Sequence, residues 1–372
     1  MGRLVPARAA GVELLGNTIM LNLASGALCA IGLNHLSAAR LAALTTTAAM
    51  RHMRITAIHG EWIAVHDGQA GLHARVLPRL LASLAGDNDA LAVGDWVAVD
   101  ELDGEPWIAL RAEPLTQVAR RANDGRRQVL ASNIDTALLV MGLDLDFNIR
   151  RLERYVAVVQ SAGIAPVVVL TKADIAADVE DKVAQVQRRL PAGIAVVAID
   201  GTSDAAATAL QPWLGTGRTL CLLGASGTGK STLTNTLAAA GQDTGGTRRG
   251  DGRGRHTTTA RSLHRCAGGA CIVDTPGLRT WRPDGDEETL SATFDDIAAL
   301  AARCQFRDCR HEREPGCAVR AGIDPDRLAN FHKLLRDARR GGQTPLDRIA
   351  ERAKWKVIGK AVQRHLREKG KR

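Results

Sequence analysis

Residues 51–120 alternate short apolar runs with turns, which is the pattern of a small β domain. Five strands are predicted, at 54–57, 62–65, 72–77, 95–99 and 107–110. Dipeptides of glycine and aspartate mark the turns: Asp67-Gly68, Gly86-Asp87 and Asp103-Gly104. Five short strands in this length favour a barrel of the OB type, a fold that often holds RNA or single strands. Another small barrel, such as an SH3-like module, is the alternative.

After residue 133 the pattern changes to nearly continuous apolar runs separated by helical stretches. Strands are predicted at 134–141, 165–170, 194–199, 220–223 and 270–273, and helices at 149–160, 179–190 and 233–240. This alternation indicates a parallel sheet covered by helices on both faces, hence the α/β class. The two patterns are joined by residues 114–133, a basic connector that contains Arg120, Arg121, Arg126 and Arg127.

The strand predicted at 220–223 runs into a glycine-rich turn with the spacing Gly224-x4-Gly229-Lys230-Ser231, a phosphate-binding P-loop. Glycine is needed because several backbone N–H groups must converge on one phosphate in conformations that a Cβ obstructs. Lys230 is predicted to neutralise the β and γ phosphates and Ser231 to ligate Mg²⁺, with the positive end of the next helix facing the anion. The predicted phosphate-binding residues are Gly224, Ala225, Ser226, Gly227, Thr228, Gly229, Lys230, Ser231 and Thr232.

A second motif, Thr171-Lys172-Ala173-Asp174, follows the strand predicted at 165–170. A carboxylate at the C-terminal edge of a parallel sheet can accept hydrogen bonds from guanine N1 and N2, which adenine cannot offer. The lysine stem can lie over the base. A solvated loop is the alternative for such a short motif, but together with a P-loop it predicts a guanine site.

Two further segments lie downstream of the P-loop. Residues 252–259 read Gly-Arg-Gly-Arg-His-Thr-Thr-Thr, and Asp274-Thr275-Pro276-Gly277 directly follows a predicted strand. Asp274 is predicted to hold the Mg²⁺ shell, and the Gly277 N–H to sense the γ-phosphate. Thr258, on the glycine-rich loop, is predicted to complete the metal site.

His256 is the candidate that orients the attacking water. The residue after Gly277 is Leu278, which has no polar group for this task. An imidazole beside the switch threonines can orient water by hydrogen bonding without abstracting a proton. The alternative is that His256 contacts only RNA or solvent.

A cysteine cluster follows, with the spacing Cys-x4-Cys-x-His-x5-Cys. Three thiolates and one imidazole suit a tetrahedral structural zinc site in a segment with little core of its own. The predicted ligands are Cys304, Cys309, His311 and Cys317. The alternative combines Cys266 and Cys271 with two of these cysteines.

The net charge is +9, and nine lysines stand against forty arginines. Arginine suits bidentate phosphate contacts, so the excess of positive charge favours a nucleic-acid partner. Residues 349–372 contain nine basic residues and Trp355. A basic helix that binds RNA phosphates is predicted there, with a solvated terminal helix as the alternative.

Residues 1–50 carry Arg3 and Arg8 ahead of an apolar stretch at 19–33 that superficially resembles a signal peptide. Asparagines interrupt or border the stretch, and it is too short to span a membrane. Seven cysteines in 372 residues do not suit a secreted disulfide framework, so a cytoplasmic protein without a membrane segment is predicted. A true start at Met50 or Met53 is a competing interpretation.

The order of the motifs is informative, because ordinary GTPases place the P-loop first and the base-reading motif last. Here the base-reading motif precedes the P-loop. This order, the Gly-Arg-His-Thr-Thr-Thr loop, the preceding barrel and the cysteine cluster resemble the circularly permuted GTPases, and among them the ribosome small subunit-dependent GTPase A family. The resemblance covers residues 51–372.

This resemblance implies an OB-like RNA-binding barrel at 51–120, a permuted GTPase domain at 121–285 and a zinc-binding helical domain with a basic helix at 286–372. Residues 1–50 would be an extension. It also implies a monomeric protein that binds GTP or GDP with Mg²⁺, one structural zinc, and the small ribosomal subunit with its rRNA. Its activity would be hydrolysis of GTP to GDP and phosphate during late maturation of that subunit.

Two positions depart from the family pattern. Thr171 stands where most GTPases have asparagine, which puts one base contact in doubt, and Asp200-Gly201 stands where a Ser-Ala pair is expected. Two other functions remain open at this point. One is an RNA-bound nucleotide switch without catalysis, and the other is an ATP-dependent phosphotransferase, against which Lys172 and Asp174 argue.

Overall fold

The computed structural model describes residues 26–47, 49–121, 127–238, 262–274 and 293–342. The strands are β1 Arg51–His59, β2 Trp62–His66, β3 Gly71–Val76, β4 Trp96–Leu102, β5 Glu105–Arg111, β6 Gln117–Arg121, β7 Arg127–Ser132, β8 Thr136–Gly142, β9 Ala165–Thr171, β10 Ala195–Ala198, β11 Thr219–Leu223, β12 Ser262–Arg265 and β13 Cys271–Asp274. The helices are α1 His35–Ala42, α2 Pro78–Gly86, α3 Ile149–Ser161, α4 Val179–Arg189, α5 Ala205–Leu210, α6 Lys230–Ala238, α7 Asp295–Ala301, α8 Ala318–Gly322 and α9 Pro325–Gly342. Within these ranges no helix has both the length and the apolar character required to cross a membrane.

Strands β1 to β5 form a closed barrel in the order β1-β2-β3-β5-β4, with β4 pairing back onto β1. Strands β3 and β5 are parallel and the other pairs are antiparallel. Alternate residues of the strands point inward, among them Ile63, Val65, Val97 and Val99, and they form the barrel core. The predicted small barrel is confirmed. Helix α2, which connects β3 to β4, was missing from the strand prediction.

The predicted parallel sheet is also present, in the order β10-β9-β8-β11-β13. Successive residues of β8 face opposite sides. Leu139 packs in the core with α3 and α4, while Leu138 packs in the core with α5 and α6. This burial on both faces is the reason that the strands read as continuous apolar runs.

The antiparallel strand β12 continues the sheet beyond β13 and joins it to the barrel through Ala57 opposite Ser262. Residues 114–133, expected to be a basic connector, contain the hairpin β6–β7 instead. Its charged side chains concealed this strand pattern. Arg127 donates to Gln117 at 2.8 Å and to Asp89 at 3.3 Å, so its side chain links the hairpin to the loop that follows α2.

Residues 26–44 pack between the barrel and the parallel sheet. Leu28, Ile31, Leu33 and Leu41 are buried in the same core as β8 and α3. The Asn34 side chain donates to Asp135 at 3.0 Å. A chain that began at Met50 or Met53 would lack these core residues.

One buried arginine connects three parts of the fold. Arg54 of β1 is fully buried and donates to the Ile31 carbonyl of the N-terminal segment and to the Gly94 carbonyl of the barrel, the latter at 3.2 Å. It also donates to Thr219 at the start of β11, at 2.9 Å. These bonds fix the barrel against the strand that leads into the P-loop.

Helices α7 to α9 form a small unit after the sheet, with Phe294 and Phe331 in contact in its core at a ring-centroid distance of 5.2 Å. This unit docks on α3 through Glu153, which is completely buried. The Glu153 carboxylate accepts hydrogen bonds from Arg327 at 2.6 Å, Asn330 at 2.6 Å and Arg189 at 2.9 Å. The buried charge is therefore compensated by donors from both sides of the junction.

Candidate functional site

The P-loop turn connects β11 to α6 at the carboxyl edge of the parallel sheet. Gly224 has to be glycine because a Cβ there would lie 2.3 Å from the Val140 carbonyl oxygen. Gly227 and Gly229 have φ values of 86° and 87°, in the left-handed region that other residues rarely adopt. The predicted turn therefore has the backbone conformation of an anion-binding loop ahead of a helix N-terminus.

Lys230, the first residue of α6, is buried beneath this turn. Its ammonium group donates to the Ala225 carbonyl at 2.6 Å, so the cation is directed across the loop. Burial lowers the pKa of Lys230, and the negative charge of Asp274 partly opposes that effect. The result is a positive charge close to the loop where phosphate groups would bind.

Thr171, at the end of β9, joins the second motif to the P-loop. Its hydroxyl is buried and donates to the Thr228 carbonyl at 2.8 Å. Strands β9 and β11 both flank β8, so their carboxyl ends meet at one edge of the sheet although the base-reading motif comes first in the chain. Thr171 therefore links the two motifs directly.

The rest of this motif lies at the surface beside that link. Lys172 has a φ of 64° and forms an ion pair with Asp144, which follows β8. The Ala173 N–H donates to the Ile199 carbonyl at 3.2 Å, and Asp174 is exposed. A ligand can therefore reach the Asp174 carboxylate from solvent.

The loop at Asp200-Gly201 lies against both motifs. Gly201 is buried, with a Cβ position 3.9 Å from the Thr171 methyl group, and its carbonyl accepts from Thr236 of α6 at 2.8 Å. Asp200 bonds to Thr202 within its own turn, at 2.9 Å to the N–H and 2.7 Å to the hydroxyl. These hydrogen bonds lower the pKa of Asp200. The loop is thus next to the candidate base site, although its sequence did not match the expected pair.

Asp274 is the last residue of β13, the strand adjacent to β11, and is half-buried. This position brings its charge close enough to influence Lys230. Ser231 and Thr232 are exposed in the first turn of α6. The other predicted switch residues, His256, Thr258 and Gly277, lie outside the described residues.

The four predicted zinc ligands come together near the C-terminal unit. One ligand atom from each of Cys304, Cys309, His311 and Cys317 lies within 4.8 Å of the others. The sulfurs of Cys304 and Cys317 are 3.9 Å apart, and His311 Nδ1 is 3.6 Å and 3.4 Å from them. A tetrahedron with Zn–S bonds of about 2.3 Å has edges of about 3.8 Å, so the donor set and its spacing fit zinc.

The loop that carries these ligands is stabilised by hydrogen bonds between its backbone and one of its own carboxylates. The Glu314 carboxylate accepts from the N–H groups of Arg310 and Glu312 at 2.9 Å and of Arg313 at 3.0 Å. A hydrogen bond from its own backbone N–H, together with these three, lowers the pKa of Glu314 to about 2. The His332 ring lies 3.3 Å from the His311 carbonyl and so ties the loop to α9.

Cys266 and Cys271, the alternative ligands, lie elsewhere. Both are buried at the turn of the β12–β13 hairpin, where the Cys266 N–H donates to the Ala270 carbonyl at 2.8 Å. Burial raises the pKa of Cys266 to about 12. The geometry therefore disfavours the alternative ligand set.

Sequence reasoning missed three charged residues that organise this region: Arg54, Asp144 and Glu153. Only Glu153 gave a sequence signal, because it lies on a helix most of whose residues are buried. Arg54 gave none, because Met53 and Ile55 on either side of it face the barrel core, so strand alternation predicts that Arg54 faces outward. A charge where the pattern predicts burial indicates a specific partner. Asp144 gave no such signal, because it lies in a polar loop.

Comparison with known proteins is consistent with this geometry. A family model described as RsgA GTPase matches residues 112–283. A Small ribosomal subunit biogenesis GTPase RsgA of Xanthomonas oryzae pv. oryzae (strain MAFF 311018) is 43% identical over 307 residues, which covers 80% of this chain and 84% of that protein. A protein of the same name from Xanthomonas campestris pv. campestris (strain B100) is 42% identical over 308 residues, with the same coverage.

Two solved structures share the fold. YjeQ from Thermotoga maritima superimposes with a TM-score of 0.57 at 22% identity, covering 79% of this chain and 99% of that chain. YloQ, described as a circularly permuted GTPase, gives a TM-score of 0.56 at 22% identity and covers 81% of this chain and 99% of that chain. The similarity extends over nearly the full length of both structures, so the combination of barrel and parallel sheet is shared.

Proposed function

From the premise that this chain belongs to the RsgA GTPase family and is a GTP hydrolase, we propose that it acts in biogenesis of the small ribosomal subunit. It would bind GTP, associate with the maturing subunit in the cytoplasm as a monomer, and leave after hydrolysis to GDP and phosphate. The bond from Thr171 to the Thr228 carbonyl carries the proposal, because it unites a base-reading motif with a P-loop in permuted order.

We assign guanine recognition to Asp174 and phosphate binding to residues 224–232. The exposed Asp174 carboxylate can accept from guanine N1 and N2. Mg²⁺, held by Ser231 and Asp274 with Thr258 from the glycine-rich loop, would neutralise charge on the β and γ phosphates. Lys230 supplies a further positive charge from beneath the loop. His256 is the residue to which we assign the orientation of water.

The zinc-binding role of the C-terminal cluster is likewise a proposal, supported by its donor set and spacing. The metal would be structural, since it joins the ends of a short loop that has little core of its own. We keep the proposed division into domains near residues 120 and 285, which is supported by separate cores for the barrel and for the unit around Phe294. Residue 120 lies within β6, so the hairpin β6–β7 spans the first of these boundaries.

The charge distribution suggests which region binds rRNA electrostatically. Residues 51–120 contain six arginines and ten carboxylates, a net charge of −4, whereas residues 349–372 contain nine basic and two acidic residues. We therefore propose that the basic tail makes most of the phosphate contacts. The barrel would contribute shape and stacking more than charge.

The test is GTP turnover by the full chain alone, with small subunits and with large subunits. Stimulation by small subunits only, with ATP inactive as a substrate, is the expected result. Equal turnover in all three conditions would refute the proposed stimulation by the small subunit, but it would not contradict the GTPase assignment.

A further inference from the structure

The ion pair between Lys172 and Asp144 is located beside the candidate base site. The side chains are 31% and 34% exposed, so the pair is at the protein surface and accessible to a ligand. We propose that Asp144 is a positioning residue for the guanine nucleotide, holding the Lys172 stem where it covers one face of the base. This inference rests on the proposed assignment of residues 171–174 to guanine.

Asp144 is itself held in place by the loop after β8. Its Oδ1 accepts from the Asp146 N–H at 3.0 Å, and a Cβ on Gly142 would lie 2.8 Å from the same oxygen. The neighbouring Leu143 N–H donates to the Thr171 carbonyl at 3.0 Å. The carboxylate therefore has a fixed position relative to the base-reading motif before any nucleotide binds.

Lys172 needs such a partner. Its backbone is in the left-handed region, which lysine seldom adopts, and its four-carbon stem has many rotamers. An unpaired ammonium group would sample those rotamers in solvent. Fixing it in advance removes part of the ordering cost from nucleotide binding.

Among the described residues, the neighbouring lysine Lys182 is engaged elsewhere. Lys182 donates to the Leu143 carbonyl at 2.9 Å and pairs with Asp178 at 2.8 Å. The hydrogen bond from Lys172 lowers the pKa of the Asp144 carboxyl, so this group is ionised at neutral pH.

The first three residues of the motif thus each have a separate attachment. Thr171 bonds to the P-loop, Lys172 bonds to Asp144, and the Ala173 N–H bonds to the strand-end carbonyl of Ile199. Among the polar side chains of this motif, Asp174 is the one on a fully exposed residue. This arrangement leaves Asp174 for the base edge and Lys172 for the base face.

The experiment measures GDP and GTP affinity of the full chain with Asp144→Asn, Lys172→Met and the double variant. Asp178→Asn is the matched control, because it also removes a carboxylate paired with lysine. Asp144→Asn is expected to weaken binding about two- to fivefold, and Asp178→Asn less than twofold. The double variant should bind about as well as Lys172→Met alone, since Asp144 acts through the lysine.

The salt dependence of nucleotide affinity is a second measurement, which a purely structural role of Asp144 would leave unchanged. The ratio of wild-type to Asp144→Asn affinity should shrink as salt is raised, because the ion pair is partly exposed. A loss below twofold for Asp144→Asn, full additivity in the double variant, or a ratio independent of salt would overturn the proposal. Asp174→Asn separates the assignment of residues 171–174 to guanine from the positioning role of Asp144. Unchanged affinity in Asp174→Asn would refute the base-site assignment itself, and the role of Asp144 with it.

Discussion

At the scale of single residues, Thr171 shows how a departure from the common motif is accommodated. Most GTPases have asparagine at this position, and the substitution put one base contact in doubt. In this protein the threonine hydroxyl is buried and donates to the Thr228 carbonyl of the P-loop. One donor is sufficient for that link, so threonine can hold the two motifs together without itself touching the base.

Asp174→Asn tests the base contact. The amide can no longer accept from both guanine N1 and N2, and its own NH₂ group would oppose a donor. We expect GTP affinity to fall by roughly 1 to 3 kcal/mol, measured by titration calorimetry. Xanthosine triphosphate is the internal control, because its C2 carbonyl can accept from the new amide. Unchanged GTP affinity would refute the assignment.

His256→Ala tests the proposed orientation of water. The variant should keep GTP and small-subunit binding and lose most of the subunit-stimulated turnover, because the imidazole is assigned to the attacking water and not to nucleotide affinity. Single-turnover hydrolysis with and without small subunits gives the comparison. Stimulated hydrolysis close to the wild-type rate would transfer the role to the partner.

At the scale of elements, helix α3 connects the sheet to the C-terminal unit. Leu152 and Val156 pack in the sheet core, Ala157 packs in the core of α7 to α9, and Glu153 receives donors from α9 and from the end of α4. One helix therefore belongs to two cores.

Glu153→Gln should weaken the attachment of the C-terminal unit to helix α3. Removing the carboxylate leaves the buried guanidinium of Arg327 with less compensation, and breaking a buried pair costs about 3 kcal/mol. Urea unfolding and hydrogen exchange of α9 amides are the measurements. Arg150→Ala is the control, since it removes an exposed ion pair with Asp326 and should cost less than about 1 kcal/mol. Equal effects of both variants would contradict a special role for Glu153.

Cys309→Ser tests the metal cluster as an element of the C-terminal unit. Loss of one thiolate should reduce zinc from one ion per chain to a small fraction, and should loosen residues 304–317 while leaving GDP affinity nearly unchanged. Metal analysis of protein purified without chelator, together with proteolysis of this segment, gives the readout. Wild-type protein that contains no zinc would refute the proposal.

Over the whole molecule, the net charge differs between regions, and a few contacts join the barrel and the C-terminal unit to the sheet. The barrel is acidic and the C-terminal tail strongly basic, although the total is +9. The barrel is joined to the sheet by β12 and by Arg54, and the C-terminal unit by Glu153. Binding of RNA by the tail is thus the part of recognition that we expect to depend most on salt.

Truncation after residue 348 should therefore weaken small-subunit binding and flatten its dependence on salt, because fewer counterions are released. Co-sedimentation with small subunits over a series of salt concentrations measures both quantities. GTP affinity serves as the control and should stay within about twofold, since the P-loop and the base-reading motif are intact. A truncated chain with the same affinity and slope would exclude the tail from RNA binding.

The features that depend on local pattern could be predicted from the order of the amino acids. Alternating runs located the barrel strands, and continuous apolar runs located the buried strands β8, β9 and β11, because side-chain burial follows strand periodicity. The spacing of Gly224, Gly229 and Lys230 located the loop, since its backbone conformation requires glycine at defined positions. The spacing of the three cysteines and His311 predicted the metal cluster, because all four residues lie within one short loop.

Contacts between segments that are far apart in the chain could be recognised only in the folded protein. The hairpin β6–β7, the pairing of β12 with β1, and the burial of Leu28 and Leu41 depend on neighbours far away in the chain. The ion pair of Asp144 with Lys172 and the burial of Glu153 between two cores are of the same kind. Their energetics arise from desolvation and from donors on other elements, and these contributions exist only after the chain has folded.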